Sequence, residues 1–115
     1  MNIKRGDIYL ASLEPVLGSE QGKTRPCLIV QNDVSNKYSP TTIIAPLTSS
    51  LPRKEYPTLA IVTHEESGLE KTSAVLCSQI RTISMEDRII KKLGALKPGA
   101  MRRVDEALRI SLQLN

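Results

Sequence analysis

The feature that most constrains the fold of this chain is a series of five short hydrophobic runs. Short runs rich in Val, Ile, Leu and Thr, separated by glycine, proline and polar residues, are typical of β-strands. Pro46 removes a hydrogen bond from its strand, so we expect a bulge or a strand end there. The five predicted strands are DIYLASL (7–13), RPCLIVQN (25–32), TTIIAPLT (41–48), TLAIVT (58–63) and SAVLCSQIRTI (73–83).

The last part of the chain carries helix signals instead. Ser84, with Asp87 three residues later, is a weak capping signal that predicts a short helix from Met85 to about Lys92. Pro98 can occupy the first turn of a longer C-terminal helix. The predicted inner stripe of this helix is Met101, Val104, Leu108, Ile110, Ser111 and Leu112, and its predicted outer face is Arg102, Arg103, Asp105, Glu106 and Arg109.

Strands followed by helices predict an α+β fold in which the C-terminal helix lies over a strongly curved antiparallel sheet. The chain has 115 residues, which suits one domain spanning residues 1–115. Phe and Trp are both absent, so the core must be built from Ile, Leu, Val, Ala and Met. Such a core is thin, and this favours its completion by dimerisation.

Basic residues outnumber acidic ones by 16 to 12, for a formal net charge of +4. The excess is concentrated between positions 81 and 103, where Glu86 and Asp87 are the acidic residues. A basic segment of this kind suits a polyanionic partner, although a basic face also serves solubility. Its members are Arg81, Arg88, Lys91, Lys92, Lys97, Arg102 and Arg103.

The cysteine, histidine and N-terminal residues argue against a zinc protein and against a secreted or membrane-anchored protein. Cys27 and Cys77 both lie in apolar runs, so we interpret them as buried free thiols and not as a zinc site. His64 stands alone, and we expect it at a strand end or in a turn. The chain has no signal-like hydrophobic segment and no run of transmembrane length, which predicts a cytosolic protein without a membrane anchor.

The polar loop Gly18–Pro26 is the first candidate site. Pro26 biases Arg25 toward an extended backbone, which would project its guanidinium rigidly from the junction of loop and strand. A guanidinium offers a planar fork of donors that suits a phosphodiester. The alternative is that Arg25 pairs with a nearby carboxylate such as Glu20. The segment GSEQGKT is not a phosphate-binding P-loop, because its glycines are too close together and it leads into a strand.

Two further segments carry polar groups that could serve the same chemistry. Thr48, Ser49 and Ser50 end a predicted strand, where hydroxyls could bind a ligand or merely close a turn. In the last predicted strand Gln79 and Arg81 share one face, with Ser78 and Ile80 on the other. Gln79 could read a base edge, and Arg81 could contact phosphate or support the fold.

No catalytic triad, carboxylate pair, metal cluster or cofactor motif is recognisable in the sequence. An enzyme built from these residues would stabilise a charged transition state with cationic and hydroxyl donors. RNA suits such a site, because its 2′-OH is a built-in nucleophile and cleavage then depends on geometry and charge stabilisation.

Taken together, these segments resemble the MazF/PemK family of toxin endoribonucleases from bacterial toxin–antitoxin pairs. The likeness runs from Lys4 to Leu114 and combines four motifs, each weak alone. It implies the curved sheet or barrel of the plasmid-maintenance toxins (CcdB/Kid/PemK type), a homodimer, and RNA bound along the dimer interface. The motifs are RGD-Y, a glycine-rich loop ending in TRP, PLTS and QIRT.

The resemblance also implies a reaction and its residues. Arg25 matches the essential arginine of the family and Thr48 its catalytic threonine. Cleavage of single-stranded RNA would be sequence-specific and would need neither metal nor cofactor, leaving 2′,3′-cyclic phosphate and 5′-hydroxyl ends. Some members carry a histidine at the position of Ser19 and charged residues at those of Leu76 and Ser78, and this chain has none of these groups. The candidate RNA-binding residues are Ser19, Glu20, Gln21, Gly22, Lys23, Ser49, Gln79 and Arg81.

The partners implied are messenger RNA, whose cleavage would inhibit translation and growth, and a small, acidic, partly disordered antitoxin lying over the RNA groove. DNA would be bound only through the antitoxin complex. One alternative is a gyrase poison like the CcdB toxins, in which the C-terminal helix would carry the activity. Another is a plain nucleic-acid-binding module, in which the basic segment that begins at Arg81 would dominate.

Overall fold

The computed structural model describes residues 2–115 and contains an antiparallel sheet of seven strands with a long C-terminal helix. Four of the five predicted strands are present with small changes at their ends, and the predicted fold class is confirmed. The elements are β1 (Asp7–Ser12), β2 (Thr24–Ile29), α1 (Asp33–Tyr38), β3 (Thr41–Thr48), β4 (Leu59–Val62), α2 (His64–Ser67), β5 (Ser73–Leu76), β6 (Arg81–Ser84), α3 (Met85–Arg88), β7 (Ile89–Ala95) and α4 (Pro98–Leu112).

Strand β3 is the centre of the sheet, whose order is β4-β5-β3-β2-β1-β7 with β6 also paired to β3. One edge of β3 pairs first with β6, up to Ile44 opposite Arg81, and then with β5, from Leu47 opposite Val75. Pro46 lies between these two pairings, where its missing N–H removes no hydrogen bond to either strand. The predicted strand end at Pro46 is wrong, because β3 continues to Thr48, but the ladder is irregular there, since a bulge in the facing chain lies opposite Pro46.

The prediction of one strand over residues 73–83 is also wrong. Two residues of β3 lie between Ile44 and Leu47, whereas five lie between Val75 and Arg81, so three extra residues bulge out between β5 and β6. They form a turn closed by the Gln79 N–H, which donates to Leu76 O at 3.0 Å. Gln79 therefore lies in a turn and does not share a strand face with Arg81, nor does Ser78 with Ile80.

The helix predicted from Met85 to about Lys92 is only one turn long. Ser84 caps it as expected, since its side chain accepts from the Asp87 N–H. The chain then becomes β7, which pairs with β1 in a register with two irregularities. Pairing with β1 outweighs the local helix signal, because the β-branched Ile89 and Ile90 favour an extended backbone.

The C-terminal helix α4 begins at Pro98 as predicted and packs over one face of the sheet. Val104 is fully buried, and Met101 and Leu108 pack against the same hydrophobic cluster. Ile110 and Leu112, which we predicted to face inward, are 45% and 49% exposed, so that part of the prediction is wrong. Ala100 and Ala107 occupy the buried positions instead, because small side chains let the helix approach the sheet closely.

The two faces of the sheet carry separate hydrophobic clusters. Leu28 of β2 belongs to the cluster under α4, whereas its neighbours Cys27 and Ile29 belong to the cluster on the opposite face. As the composition predicts, these cores are aliphatic, with Tyr9 as the aromatic member. Helices α1 and α2 were not predicted; His64, expected at a strand end or in a turn, is the first residue of α2. None of the helices within residues 2–115 combines the length and apolar character that a membrane crossing requires.

Gly94 of β7 is expected to tolerate no side chain. A Cβ atom there would lie 2.5 Å from Ser67 O, a backbone atom that cannot rotate away. We expect Gly94→Ala to lower the free energy of unfolding by about 1–3 kcal/mol, as overpacking does elsewhere. Urea unfolding followed by circular dichroism measures this change. The matched control is Gly99→Ala in α4, whose Cβ would come no closer than 3.7 Å to its neighbours and should be neutral or stabilising; equal effects at both positions would contradict the steric explanation.

Candidate active site

Arg25 and Thr48 lie on the same face of the sheet at neighbouring strand ends. Arg25 is the second residue of β2, and Thr48 is the last residue of β3. The register pairs Cys27 with Pro46, and continued by two residues it sets Arg25 opposite Thr48. Arg25 Nη1 also donates to Leu47 O, in the residue before Thr48, at 3.4 Å. The continued register and this bond therefore place a cation and a hydroxyl near each other on the rim of the sheet.

Arg25 is held by backbone carbonyls and not by a carboxylate. Its Nε donates to Gly22 O at 2.8 Å, and none of the ion pairs in the described part of the chain includes it. The alternative that Arg25 pairs with Glu20 is thus wrong; the Glu20 carboxylate accepts from the Leu17 N–H at 2.6 Å. Because both recorded bonds use Nε and Nη1, the Nη2 end of the guanidinium remains available to an external anion.

Arg81 brings a second positive charge to the same end of the sheet. Burial raises the pKa of the Cys27 thiol to about 12, while the charges of Arg25 and Arg81 act in the opposite direction. Both guanidinium groups are therefore close enough to Cys27 to influence it. Arg81 is fixed by its Nη1, which donates to Leu13 O at 2.9 Å. The resulting positive field suits a phosphate group.

A cavity of about 870 Å³ opens between the β1–β2 loop and the turn that joins β5 to β6. Five of the predicted RNA-binding residues line it: Ser19, Glu20, Gln21, Gln79 and Arg81. Ser78 lines it as well. Arg25 does not line the cavity but adjoins it, since it is bonded to Gly22, the residue after Gln21. The other lining residues are Pro15, Val16, Leu17 and Ile80.

Gln79 connects the two walls of this cavity. Its side-chain oxygen accepts from the Gln21 N–H at 2.8 Å, and its side-chain nitrogen donates to Ser19 O at 3.3 Å. Both ends of the amide therefore hold the backbone of the β1–β2 loop. This geometry favours a role in fixing the loop over the role in reading a base edge that we considered from the sequence.

The remaining predicted residues divide between the loop and a second cavity. Gly22 and Lys23 close the loop, and Lys23 has a φ of 65° with an exposed side chain. Ser49 is exposed and lies instead beside a cavity of about 460 Å³, with Pro26 and Leu47 from the opposite face of the sheet. The Thr48 hydroxyl accepts from the Ser50 N–H at 3.1 Å, which orients it at the strand end.

Sequence reasoning missed two residues that shape the loop. One is Glu14, whose carboxylate accepts from the Lys23 N–H, and the other is Arg88. Arg88 Nη1 donates to Ser12 O at 3.1 Å and to Glu14 O at 2.7 Å. Arg81 donates to Leu13 O, so the two arginines together satisfy three consecutive backbone carbonyls at the start of the loop. These contacts span more than 60 residues of chain, so no local pattern signals them; sequence reasoning placed Arg88 only in the basic segment.

Residues 2–115 contain no group of three or more His, Cys, Asp and Glu side chains arranged to hold a metal ion. Cys77, like Cys27, is a buried free thiol, as predicted, and burial raises its pKa to about 12. His64 is occupied locally, with Nδ1 2.6 Å from Leu69 O.

With this fold and site in view, comparison with known proteins assigns the chain to a class. Residues 4–112 match the family described as the PemK-like, MazF-like toxin of type II toxin–antitoxin systems, and the chain belongs to this family. It is 46% identical over 114 residues to endoribonuclease EndoA of Bacillus subtilis (strain 168), which covers 99% of this chain and 97% of the relative. The chain is thus an endoribonuclease, and the predicted family is confirmed.

Solved structures agree with the fold. The structure of MazF (Form-I) from Deinococcus radiodurans superposes with a TM-score of 0.83 at 22% identity, over 98% of each chain. An endoribonuclease in complex with its cognate antitoxin from Mycobacterial species gives a TM-score of 0.81 at 25% identity, over 98% of this chain and 97% of the other. The assignment favours a nuclease over both the gyrase poison and the plain nucleic-acid-binding module.

Proposed function

We propose that this chain, as a single domain over residues 1–115, cleaves single-stranded RNA at specific sequences without a metal ion. The observation that carries the proposal is the meeting of Arg25 and Thr48 at the rim of the sheet, beside a cavity walled by the β1–β2 loop. A cation that offers a free edge, next to a hydroxyl, suits a phosphodiester whose charge increases during the reaction.

In the proposed mechanism the scissile phosphate binds between Arg25 and Thr48. The 2′-oxygen of the preceding nucleotide loses its proton and attacks phosphorus; a P–O2′ bond forms as the P–O5′ bond breaks, and O5′ gains a proton. The products are a 2′,3′-cyclic phosphate and a 5′-hydroxyl. A guanidinium stays protonated in proteins, so Arg25 stabilises the charged transition state and does not transfer protons.

Sequence selection is assigned to the cavity of about 870 Å³. Its wall combines apolar side chains, among them Val16 and Ile80, with polar ones such as Ser19 and Glu20. Apolar surface can stack against a nucleobase, and the polar groups can recognise its edges. A base must leave a duplex to enter such a cavity, which supports the proposed preference for single strands. Lys23 and Ser49, both exposed and adjacent in sequence to the ends of β2 and β3, would contact the flanking backbone.

The proposal includes partners. We infer that the chain works in the cytoplasm as a homodimer, that an acidic and partly disordered antitoxin covers the RNA groove, and that DNA is reached only through that complex. The supporting observations are the toxin–antitoxin family and the net charge of +4, which attracts both RNA and an acidic peptide. Cleavage of messenger RNA would then stop translation and growth until the antitoxin binds.

The test is incubation of the purified protein with a mixed-sequence single-stranded RNA in EDTA, followed by mapping of the cut ends. Discrete cuts that carry cyclic phosphates are expected. The absence of cleavage in EDTA, with activity restored by a divalent metal, would show that the reaction depends on metal; the absence of cleavage under every condition, with the fold intact by circular dichroism, would overturn the proposal.

Thr48 offers a sharp variant pair in the same assay. Thr48→Val keeps the shape of the side chain but removes the hydroxyl, and we expect kcat to fall about tenfold to hundredfold, the effect of losing a hydrogen bond to a charged group. Thr48→Ser keeps the hydroxyl and should retain most of the activity. If the valine and serine variants have equal rates, the hydroxyl has no part in the reaction.

A further inference from the structure

One peptide unit links a carboxylate to the guanidinium of Arg25. The N–H of Lys23 donates to Glu14 Oε1 at 2.6 Å, and Gly22 O accepts from Arg25 Nε at 2.8 Å. The Lys23 N–H and the Gly22 carbonyl belong to the same peptide group. Glu14 and Arg25 are thus connected through the two ends of a single amide, although their side chains do not form an ion pair with each other.

The position of this peptide unit is tightly determined. A Cβ on Gly22 would lie 2.6 Å from Glu14 Oε1 and 2.7 Å from Val16 Cγ2, so the glycine lets the loop backbone pass directly over these side chains. Lys23 adopts a φ of 65°, a left-handed conformation that residues other than glycine rarely take. The Glu14 carboxylate stabilises this turn through a charge-assisted hydrogen bond to the N–H that the turn presents.

The backbone of Glu14 is also fixed by hydrogen bonds. Glu14 O accepts from Arg88 Nη1, and the Leu13 N–H donates to Lys23 O at 2.9 Å. The backbone of Glu14 is therefore held on both sides of its side chain. This fixes the position from which its carboxylate accepts the hydrogen bond of the Gly22–Lys23 peptide.

We propose that Glu14 is a positioning residue for Arg25. Its carboxylate orients the Gly22–Lys23 peptide and polarises it, which makes Gly22 O a stronger acceptor for Arg25 Nε. With Nε fixed, the opposite edge of the guanidinium is directed at the place where the scissile phosphate binds. The kinetic part of this inference rests on the proposed function, whereas the hydrogen-bond relay itself can be measured without any RNA.

The first measurement is kinetic. Glu14→Ala removes the acceptor, and we expect kcat to fall about tenfold to hundredfold, the cost of small misplacements of catalytic groups, with KM changed less than threefold. Glu14→Gln keeps an oxygen at the same distance and should restore most of kcat. A carboxylate that only attracted RNA or stabilised the fold would not give this division between kcat and KM, or this rescue by glutamine.

The second measurement follows the Arg25 Nε–H directly in two-dimensional ¹H–¹⁵N spectra, with the signal assigned by its loss in Arg25→Lys. In the wild-type chain and in Glu14→Gln this proton should exchange slowly with water; in Glu14→Ala its protection should fall at least tenfold. The matched control is Glu20→Ala, which removes a carboxylate–backbone bond of the same 2.6 Å length from the same loop without touching the Gly22–Lys23 peptide. Protection of the Arg25 Nε–H should be unchanged there.

The outcomes separate the two proposals. Slow exchange that persists in Glu14→Ala overturns the relay, whatever the nuclease activity. If Glu14→Ala loses protection and the wild-type protein cleaves no RNA, the relay is supported and the proposed function is overturned. Since Glu14 is exposed, we expect the alanine variant to fold; if its unfolding midpoint drops, Glu14→Met, which has similar length and no oxygen acceptor, must give the same loss of protection or the relay is wrong.

Discussion

Replacement of Arg25 by alanine is expected to lower kcat for RNA cleavage by about 10²–10³ or more, the usual cost of losing a charged donor at a transition state. The structure gives the reason: Arg25 contributes the cation opposite Thr48, and its Nη2 edge is not used inside the described part of the chain. Arg25→Lys keeps the charge but cannot bridge Gly22 O and Leu47 O while also presenting a fork of donors. We therefore expect the lysine variant to lie much nearer to alanine than to wild type in single-turnover assays.

Arg109→Ala is the matched control for this change in charge. Arg109 is exposed on α4 and contacts Glu106 only at 3.8 Å, so its loss should leave both kcat and stability unchanged. An Arg25→Ala protein that is folded by circular dichroism and cleaves within threefold of the wild-type rate would remove Arg25 from the mechanism.

A single 2′-deoxy substitution in the RNA is expected to abolish cleavage at one bond. When the nucleotide on the 5′ side of the scissile phosphate lacks its 2′-OH, no oxygen is available to form the cyclic phosphate, and the bond should survive even at enzyme excess. Binding should change little, because the phosphate contacts assigned to Arg25 and Thr48 remain. Mapping of the cut ends on RNA with and without the substitution measures the effect.

In the control RNA, the 2′-deoxy sugar belongs to the nucleotide on the 3′ side of the scissile phosphate, so the attacking 2′-OH is intact. It should be cut at the usual bond. Cutting that continues at the fully blocked bond would mean that water attacks instead of the 2′-oxygen, and the site would then need a group that activates water. That result would refute the proposed mechanism while leaving the assignment as an endoribonuclease in place.

Local patterns predicted the parts of the fold that depend on local residues. The runs around β1 to β4 are apolar and β-branched, and α4 begins at Pro98 as its sequence indicates. The errors arose where pairing partners decide the outcome. The turn around Gln79 contains no glycine or proline and exists because two strands share one edge of β3; β7 replaces a predicted helix because β1 offers it an edge.

The candidate site shows the same division. The residue types in the loop and at the end of β3 indicated a phosphate-binding chemistry, but the resemblance to a family selected Arg25 and Thr48. The register of β2 against β3, continued by two residues, sets them opposite each other. The roles of Gln79 and Glu14 depend on hydrogen bonds to the loop that reflect its folded path. Such contacts arise from the tertiary structure and leave no periodic pattern in the sequence.

The burial of Cys27 and Cys77 has a consequence for the conditions under which this toxin can act. Oxidants and electrophiles react with the thiolate form of cysteine, and burial holds the pKa of both thiols near 12, so almost no thiolate exists at physiological pH. Cys27 in particular lies on the same face of β2 as Arg25, where its oxidation would disturb the site. We therefore expect peroxide treatment to leave the nuclease activity of this chain largely unchanged, because neither thiol is readily oxidised.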